Sequence, residues 1–205
     1  MKLSELEAEL KIRFPEKWHQ IYHSGTSDWL ELTAGQFQTD RIAVMSNPKS
    51  FLMMNGCEPL LFEKIPERLQ ELQVHWISAW KKYRNLVLKP NLRLIPFAQT
   101  AGGDNYCFLY HDGIPEPEIV ICWHDEPEPQ MFGRNFDEFL YLNLLDDAQI
   151  AEDIDGYFQS EVWNEQKNYL NPEFRKKLDS IPEEDLPFAI QDCIFPHADI
   201  WESEE

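Results

Sequence analysis

Residues 93–110, RLIPFAQTAGGDNYCFLY, place two runs of β-prone residues on either side of Gly102-Gly103-Asp104. Two adjacent glycines before a carboxylate could cradle a phosphate, hold a metal or turn the chain. A phosphate loop needs a following lysine and the start of a helix, and Gly103 has neither. We therefore interpret the triplet as a turn between two strands, with Gly103 at positive φ and Asp104 as the acceptor that stabilises the turn.

Three strand candidates lie close together around this turn, at residues 92–97, 105–111 and 118–124. The last two are joined by a connection that begins with Asp112-Gly113, a dipeptide typical of tight turns. Short connections allow only antiparallel neighbours, because a parallel pair needs a long crossover. The sequence therefore predicts an antiparallel meander.

The residues before the meander contain two short helical patterns. Ser4 and Glu7 fit a capping box at the start of a first helix, and Pro15 suits the first position of a second helix that stops at Gly25. The next stretch mixes strand-like patches with turn residues. It predicts short strands near 28–32 and 41–45.

A long helix is predicted from Pro66, with Leu72, Trp76 and Trp80 recurring at helical spacing. This tryptophan stripe could line a ligand-binding box, but one continuous apolar face opposite charged residues favours core packing. After the last strand, Asn135 or Asp137 is expected to begin another helix. These elements predict an α+β fold: a mainly antiparallel sheet flanked by N-terminal helices, a long central helix and a helix after the last strand.

The charge of the 205-residue chain is strongly asymmetric. Its formal net charge is −19, with residues 1–100 near +2 and residues 101–205 near −21. Such a surface makes nucleic acid and anionic membranes poor partners. Two interpretations stay open: the acidity serves solubility, or it builds a surface that meets a basic partner with fast, salt-sensitive association.

The composition also predicts a cytoplasmic chain. No run approaches the roughly 18 apolar residues that a membrane helix requires, and residues 1–11 are charged where a secretory signal would be apolar. The four cysteines form no CxxC pair, which suits a reducing compartment.

A change in composition near Asp146 divides the chain into two predicted parts, a domain at 1–145 and an acidic extension at 146–205. The extension is expected to be partly helical, with a helix around Trp163 and Tyr169 and a kink at Pro172. Its aromatic residues argue against a disordered tail. We expect it to pack on the domain or on a partner.

One set of side chains resembles a zinc site in composition: Cys107, His111, Cys122 and His124. Strand alternation groups the first two and the last two, but their spacing matches no standard zinc module. The alternative is that they are ordinary strand residues, and we predict no metal and no cofactor. The chain also lacks a G-x-S-x-G nucleophile motif and a GxxxxGK[ST] phosphate loop, so no catalytic residue is predicted.

The most distinctive polar cluster is HDEPEPQ at residues 124–130. Pro127 and Pro129 keep Asp125, Glu126 and Glu128 extended and exposed, which suits recognition better than catalysis. The cluster is either a plain acidic surface loop or a contact loop for a basic partner. Asp104 is a further candidate for the same surface.

The order of these motifs resembles the SUKH superfamily, in particular its Smi/Knr-type domain. The parts that carry the resemblance are IPFA at 95–98, Gly103-Asp104, YCF at 106–108, Ile119-Val120, His124-Asp125 and FDEFL at 136–140. The stretch FPEKWHQIYHSG at 14–25 is similar to the opening element of that family. The resemblance covers residues 1–145.

This resemblance implies an α+β fold without catalytic residues. It also implies a bacterial immunity protein that neutralises a cognate polymorphic toxin by binding the toxin domain. A nuclease toxin would offer the basic surface that the acidic second half of the chain calls for. The alternative within the same family is a regulatory scaffold that binds several host proteins.

Overall fold

The predicted meander forms the centre of the molecule. The structure, a computed structural model, describes residues 1–51, 57–150, 157–190 and 196–204. Its strands are β1 Glu58–Pro59, β2 Leu86–Leu88, β3 Leu92–Gln99, β4 Asn105–His111, β5 Glu118–Cys122, β6 Gln130–Gly133 and β7 Trp201–Ser203. Its α-helices are α1 Leu3–Leu10, α2 Glu16–His23, α3 Ala34–Met45, α4 Ile65–Glu71, α5 Ser78–Arg84, α6 Phe136–Ile150, α7 Glu161–Lys167, α8 Pro172–Asp179 and α9 Leu186–Ala189. The chain is thus α+β, as the sequence predicts.

Five of the strands form one antiparallel sheet in the order β1-β3-β4-β5-β6. Pro96 lies opposite Cys107, and Cys107 lies opposite Val120, which sets the register of the three central strands. The pairing of β3 with β4 shifts between Pro96 and Ala98. This bulge follows the proline, whose nitrogen has no hydrogen to donate to a ladder. The antiparallel meander is confirmed.

One face of the sheet carries an aromatic core. Phe97 and Phe108 are stacked with ring centroids 4.2 Å apart, and Trp18 from α2 meets both rings edge-on. Phe14 and Phe136 complete the contact with the helices on this side. We call this the first face. All five rings are nearly inaccessible to solvent, so this face supplies much of the apolar burial of the fold.

The opposite face, which we call the second face, is lined by smaller side chains. Cys107, Val120 and Cys122 point to it from β4 and β5. It is covered by the central helix through Leu72 and Trp76, and by Ala198 and Ile200 from the segment 196–204. Side chains alternate between the two faces along a strand, so β3, β4 and β5 each supply residues to both faces.

The central helix runs through residues 65–84 as α4, a π-helical stretch at Leu72–Ile77 and α5. Pro66 lies in its first turn, where its missing N–H costs nothing. Leu72 and Trp76 are buried, so the prediction that the tryptophan stripe packs in a core is confirmed. The helix ends at Asn85, which adopts a left-handed conformation with φ 56°.

The first two helices form as predicted, but their starting residues differ. Ser4 lies inside α1, and the Glu5 carboxylate accepts from the Lys2 N–H at 2.8 Å ahead of the helix. The predicted capping box at Ser4 is therefore wrong, because the helix begins two residues earlier, with Lys2 as its N-cap and Glu5 in place of Glu7. Pro15 precedes α2 as its N-cap rather than forming its first residue.

The short strands expected near 28–32 and 41–45 are wrong. The structure has a 3-10 turn at Asp28–Glu31 and the helix α3 instead. Thr33 and Gln36 form a capping box: the Thr33 hydroxyl accepts from the Gln36 N–H at 3.3 Å, and the Gln36 side chain accepts from the Thr33 N–H at 2.9 Å. This T-x-x-Q signal outweighs the β-branched residues that suggested a strand.

The helix after the sheet begins where the sequence placed it. Asn135 accepts from the Glu138 N–H at 2.9 Å through its side chain, which is the bond expected of an N-cap residue. From this start α6 runs to residue 150.

The residues after α6 that the structure describes pack on the rest of the chain. Gln166 donates to the Ser50 carbonyl at 3.0 Å, and Tyr169 donates to the Lys49 carbonyl at 3.1 Å. Strand β7 pairs antiparallel with β2 as a separate two-stranded sheet. Pro172 begins α8 under an Asn171 cap, so the predicted kink is a helix start instead. The division at residue 145 stays a prediction.

Candidate functional site

The turn between β3 and β4 is built around Asp104. Gly103 adopts φ +93°, the left-handed region that favours glycine, so this prediction is confirmed. The Thr100 hydroxyl donates to one carboxylate oxygen of Asp104 at 2.8 Å, and the Asp104 N–H donates back to that hydroxyl at 3.1 Å. The opening glycine pair therefore serves a structural turn.

The second carboxylate oxygen of Asp104 reaches across to the end of β5. It accepts from the His124 N–H at 3.1 Å and lies 2.8 Å from the His124 Nδ1. Asp104 is only 7% exposed, so the carboxylate is turned inward to these partners. It acts as a link between the turn and the residues that follow β5.

The Asp104–His124 pair shifts the pKa of both groups. Burial by itself would raise the pKa of Asp104, but hydrogen bonds from His124 and Thr100 outweigh it and hold that pKa below its ordinary value. The hydrogen bond to Asp104 raises the pKa of His124. The charged form of each partner is therefore favoured by the other.

Residues 124–130, which we call the acidic loop, lie directly after this pair. Asp125, Glu126 and Glu128 are all exposed, and Pro129 is buried. Glu128 Oε2 lies 3.2 Å from the His197 Nδ1, and the other two carboxylates point to solvent from the same short stretch. Three of the four predicted partner-binding side chains thus lie together on the surface, and the fourth, Asp104, is buried and bonded to His124 at the start of the loop.

The backbone of the acidic loop is held by two tryptophans from distant parts of the chain. Trp76 Nε1 donates to the carbonyls of Trp123 at 2.7 Å and Glu126 at 3.2 Å. Trp201 Nε1 donates to the Pro127 carbonyl at 2.5 Å. Sequence reasoning placed Trp76 in a core but missed this polar role, because the partners are separated by about 50 and 74 residues.

A small groove of about 180 Å³ adjoins the loop between the central helix and the turn. Arg68 crosses it: its Nε donates to the Asn105 side chain at 2.6 Å and its Nη2 to the Gly103 carbonyl at 2.9 Å. His75 and His124 also line the groove. Arg68 was missed by sequence reasoning, since its spacing on the helix marks it only as an exposed polar position.

The four residues tested as a zinc set do not converge. His111 pairs with Glu118 at 2.9 Å, and His124 pairs with Asp104 instead. Cys107 and Cys122 are fully buried among apolar side chains. Burial, with a smaller contribution from Cys122, raises the pKa of the Cys107 thiol well above its ordinary value. Across the described residues, no three His, Cys, Asp or Glu side chains are grouped to hold a metal.

The fold and the site define an α+β domain whose sheet carries an exposed acidic loop after β5. The chain belongs to the SMI1 / KNR4 family (SUKH-1), because the family model matches residues 2–142, more than half of its length. The expected family is therefore confirmed. Neither a curated protein nor a solved structure matches the chain significantly. Within the described residues, every helix is too short or too polar to cross a membrane.

Proposed function

We propose that this chain is a non-enzymatic immunity protein that binds and neutralises a cognate bacterial toxin in the cytoplasm. The observation that carries the proposal is the acidic loop, which presents Asp125, Glu126 and Glu128 to solvent from a short, well-supported stretch. Family membership and the excess of acidic residues after residue 100 support it.

The charge of the loop selects the chemistry of the partner. Carboxylates on an exposed surface favour a protein with clustered lysine and arginine, and the attraction speeds association most at low salt. The substrate cleft of a nuclease toxin has this character, because it must bind phosphates. In this proposal the loop occupies such a cleft, and Asp104 contributes by holding His124 at the start of the loop.

The test is to capture the partner with the full chain and measure its association rate against the variant Asp125→Lys, Glu126→Lys, Glu128→Lys. We expect the rate to fall by about tenfold or more at low salt, and the difference to shrink as salt is added. The melting temperature should change little, because the three side chains are exposed.

A matched control reverses three exposed acidic residues of a different surface turn, Glu183→Lys, Glu184→Lys and Asp185→Lys. It changes the net charge equally, so it isolates the location of the charge. Equal rates for the two variants would place the contact elsewhere. Capture of several partners of moderate affinity, dependent on residues 146–205, would instead favour the regulatory scaffold.

A further inference from the structure

The acidic loop is held from outside at four of its peptide units. Besides the three carbonyls bound by Trp76 and Trp201, the Pro129 carbonyl accepts from the Ala198 N–H at 2.8 Å. Each of these bonds fixes the orientation of one peptide plane. The donors come from the central helix and from the segment 196–204, so none depends on the loop itself.

The two indole donors are themselves well anchored. Trp76 is 7% exposed, and its ring centroid lies 5.2 Å from that of Trp201. Trp201 belongs to β7, which pairs with β2, and the preceding Ile200 is fully buried in the second face. Burial and strand pairing already fix these two indole groups. No further side chain therefore has to be ordered to hold the loop carbonyls when a partner binds.

We propose that Trp76 and Trp201 are positioning residues that keep the acidic loop in its binding conformation before a partner arrives. The segment 196–204 is then part of the recognition apparatus as well as of the second face. This inference rests on the proposed function. Its physical advantage is that a loop whose backbone is already ordered loses little conformational entropy when a partner binds.

The test uses the free full-length chain and the change Trp201→Phe, which keeps an aromatic ring but removes the N–H. The Pro127 carbonyl shares its peptide plane with the Glu128 N–H, so nitrogen relaxation at Glu128 reports on this bond. We expect an order parameter of about 0.85 in the unchanged chain and below about 0.6 in the variant. The His124 N–H, which Asp104 still holds, should stay ordered.

The matched control is Trp29→Phe, which removes an indole bond of the same kind, from Trp29 Nε1 to the Phe51 carbonyl at 3.1 Å, on the first face. It should leave Glu128 unchanged. A second variant, Trp76→Phe, releases the Glu126 carbonyl. Pro127 has no N–H, so the nearest amide that reports on this change is the Glu126 N–H, and we expect its order parameter to fall. Hydrogen exchange at Val120, opposite Cys107, shows whether the main sheet persists in each variant. Exchange at Lys89, whose N–H donates to the Ile200 carbonyl at 3.0 Å, does the same for the pairing of β2 with β7.

A Glu128 amide that is mobile in the unchanged chain, or equally ordered in Trp201→Phe, would overturn the positioning role. The measurement needs no partner, so it is independent of the charge-reversal experiment. If the loop is ordered and charge reversal has no effect on association, the proposed function is wrong but the positioning role of Trp76 and Trp201 stands. If charge reversal slows association but the Glu128 amide is mobile in the unchanged chain, the proposed function stands and the positioning role is wrong.

Discussion

On the first face of the sheet, Phe97 and Phe108 meet a cluster of rings from neighbouring helices, and the contacts are apolar and nearly dry. On the second face, Cys107 and Val120 pack in one cluster with Trp76, and the Trp76 N–H donates to backbone carbonyls at the acidic loop. The first face is closed chiefly by burial of large apolar side chains. The second is closed by burial at its centre and by directional hydrogen bonds and ion pairs at its edge, as between Lys89 and Asp199 at 2.7 Å.

This difference indicates a division of labour within one sheet. Burial of large rings is non-directional and contributes most to stability. Indole–carbonyl bonds contribute less free energy each, but they set geometry, and exposed ion pairs contribute little. We infer that the first face chiefly stabilises the fold, while the edge of the second face shapes the acidic loop.

The largest effect is expected from Phe108→Ala on the first face. Phe108 is completely buried and touches Phe14, Trp18, Phe97 and Phe136, so its removal leaves a cavity in the ring cluster. We expect the free energy of unfolding to fall by about 3–5 kcal/mol, measured by urea denaturation. Phe188→Ala, at a side chain 48% exposed, is the control and should cost less than about 1 kcal/mol.

The next effect is expected from Ile200→Ala on the second face. Ile200 belongs to the segment 196–204 and is fully buried against the second face, so the loss should be about 2–4 kcal/mol. Ile42→Ala, at a side chain 83% exposed, removes the same atoms without creating a cavity. A loss at Ile200 that matches or exceeds the loss at Phe108 would contradict the division between the faces.

A smaller effect is expected at the turn between β3 and β4. Gly103→Val should destabilise the fold by about 1–3 kcal/mol, because a β-branched residue tolerates the φ of +93° poorly. The space around Gly103 is open, so the cost is one of backbone conformation. Gly103→Ala and Gly102→Ala form the matched pair: equal melting temperatures would show that positive φ carries no cost here.

The smallest effect concerns the pH dependence of the Asp104–His124 pair. The lowered pKa of Asp104 contributes stability above its unfolded value of 3.8, and this contribution is lost as the pH falls. The raised pKa of His124 contributes stability that is complete below 6.5 and is lost as the pH rises through the folded value. The pair should therefore stabilise most between those two values.

An NMR titration of the His124 ring checks this directly. Its midpoint should lie above 6.5 in the unchanged chain and drop in Asp104→Asn. The control is Asp125→Asn, which removes a charge beside His124 but leaves the hydrogen bond, so its shift should be smaller. A larger shift in the control would mean that general surface charge, rather than the buried partner, governs His124.

Much of the first face could be predicted from local signals. Alternation, positive φ and capping predicted the strands at 92–97 and 105–111, the turn at Gly103 and the Asn135 cap, because these signals involve residues close in sequence. The first strand runs two residues further than predicted, to Gln99. The prediction of strands near 28–32 and 41–45 was wrong because a Thr-x-x-Gln cap, which favours a helix, competes with β-branched residues, which favour a strand. Contacts of the cap with other parts of the chain decide which of the two forms. Glu63 makes one such contact, accepting from the Ala34 N–H at 2.6 Å.

The acidic loop shows which properties follow from the sequence and which follow only from the tertiary structure. The sequence alone determined its charge, its prolines and its exposure, because these depend on residue type and on neighbours along the chain. Only the tertiary structure decided that Trp76 and Trp201 hold its backbone and that Asp104 lies beneath its start. The physical reason is that hydrogen bonds between residues far apart in sequence leave no periodic trace, since each depends on how the sheet, the central helix and the segment 196–204 come together.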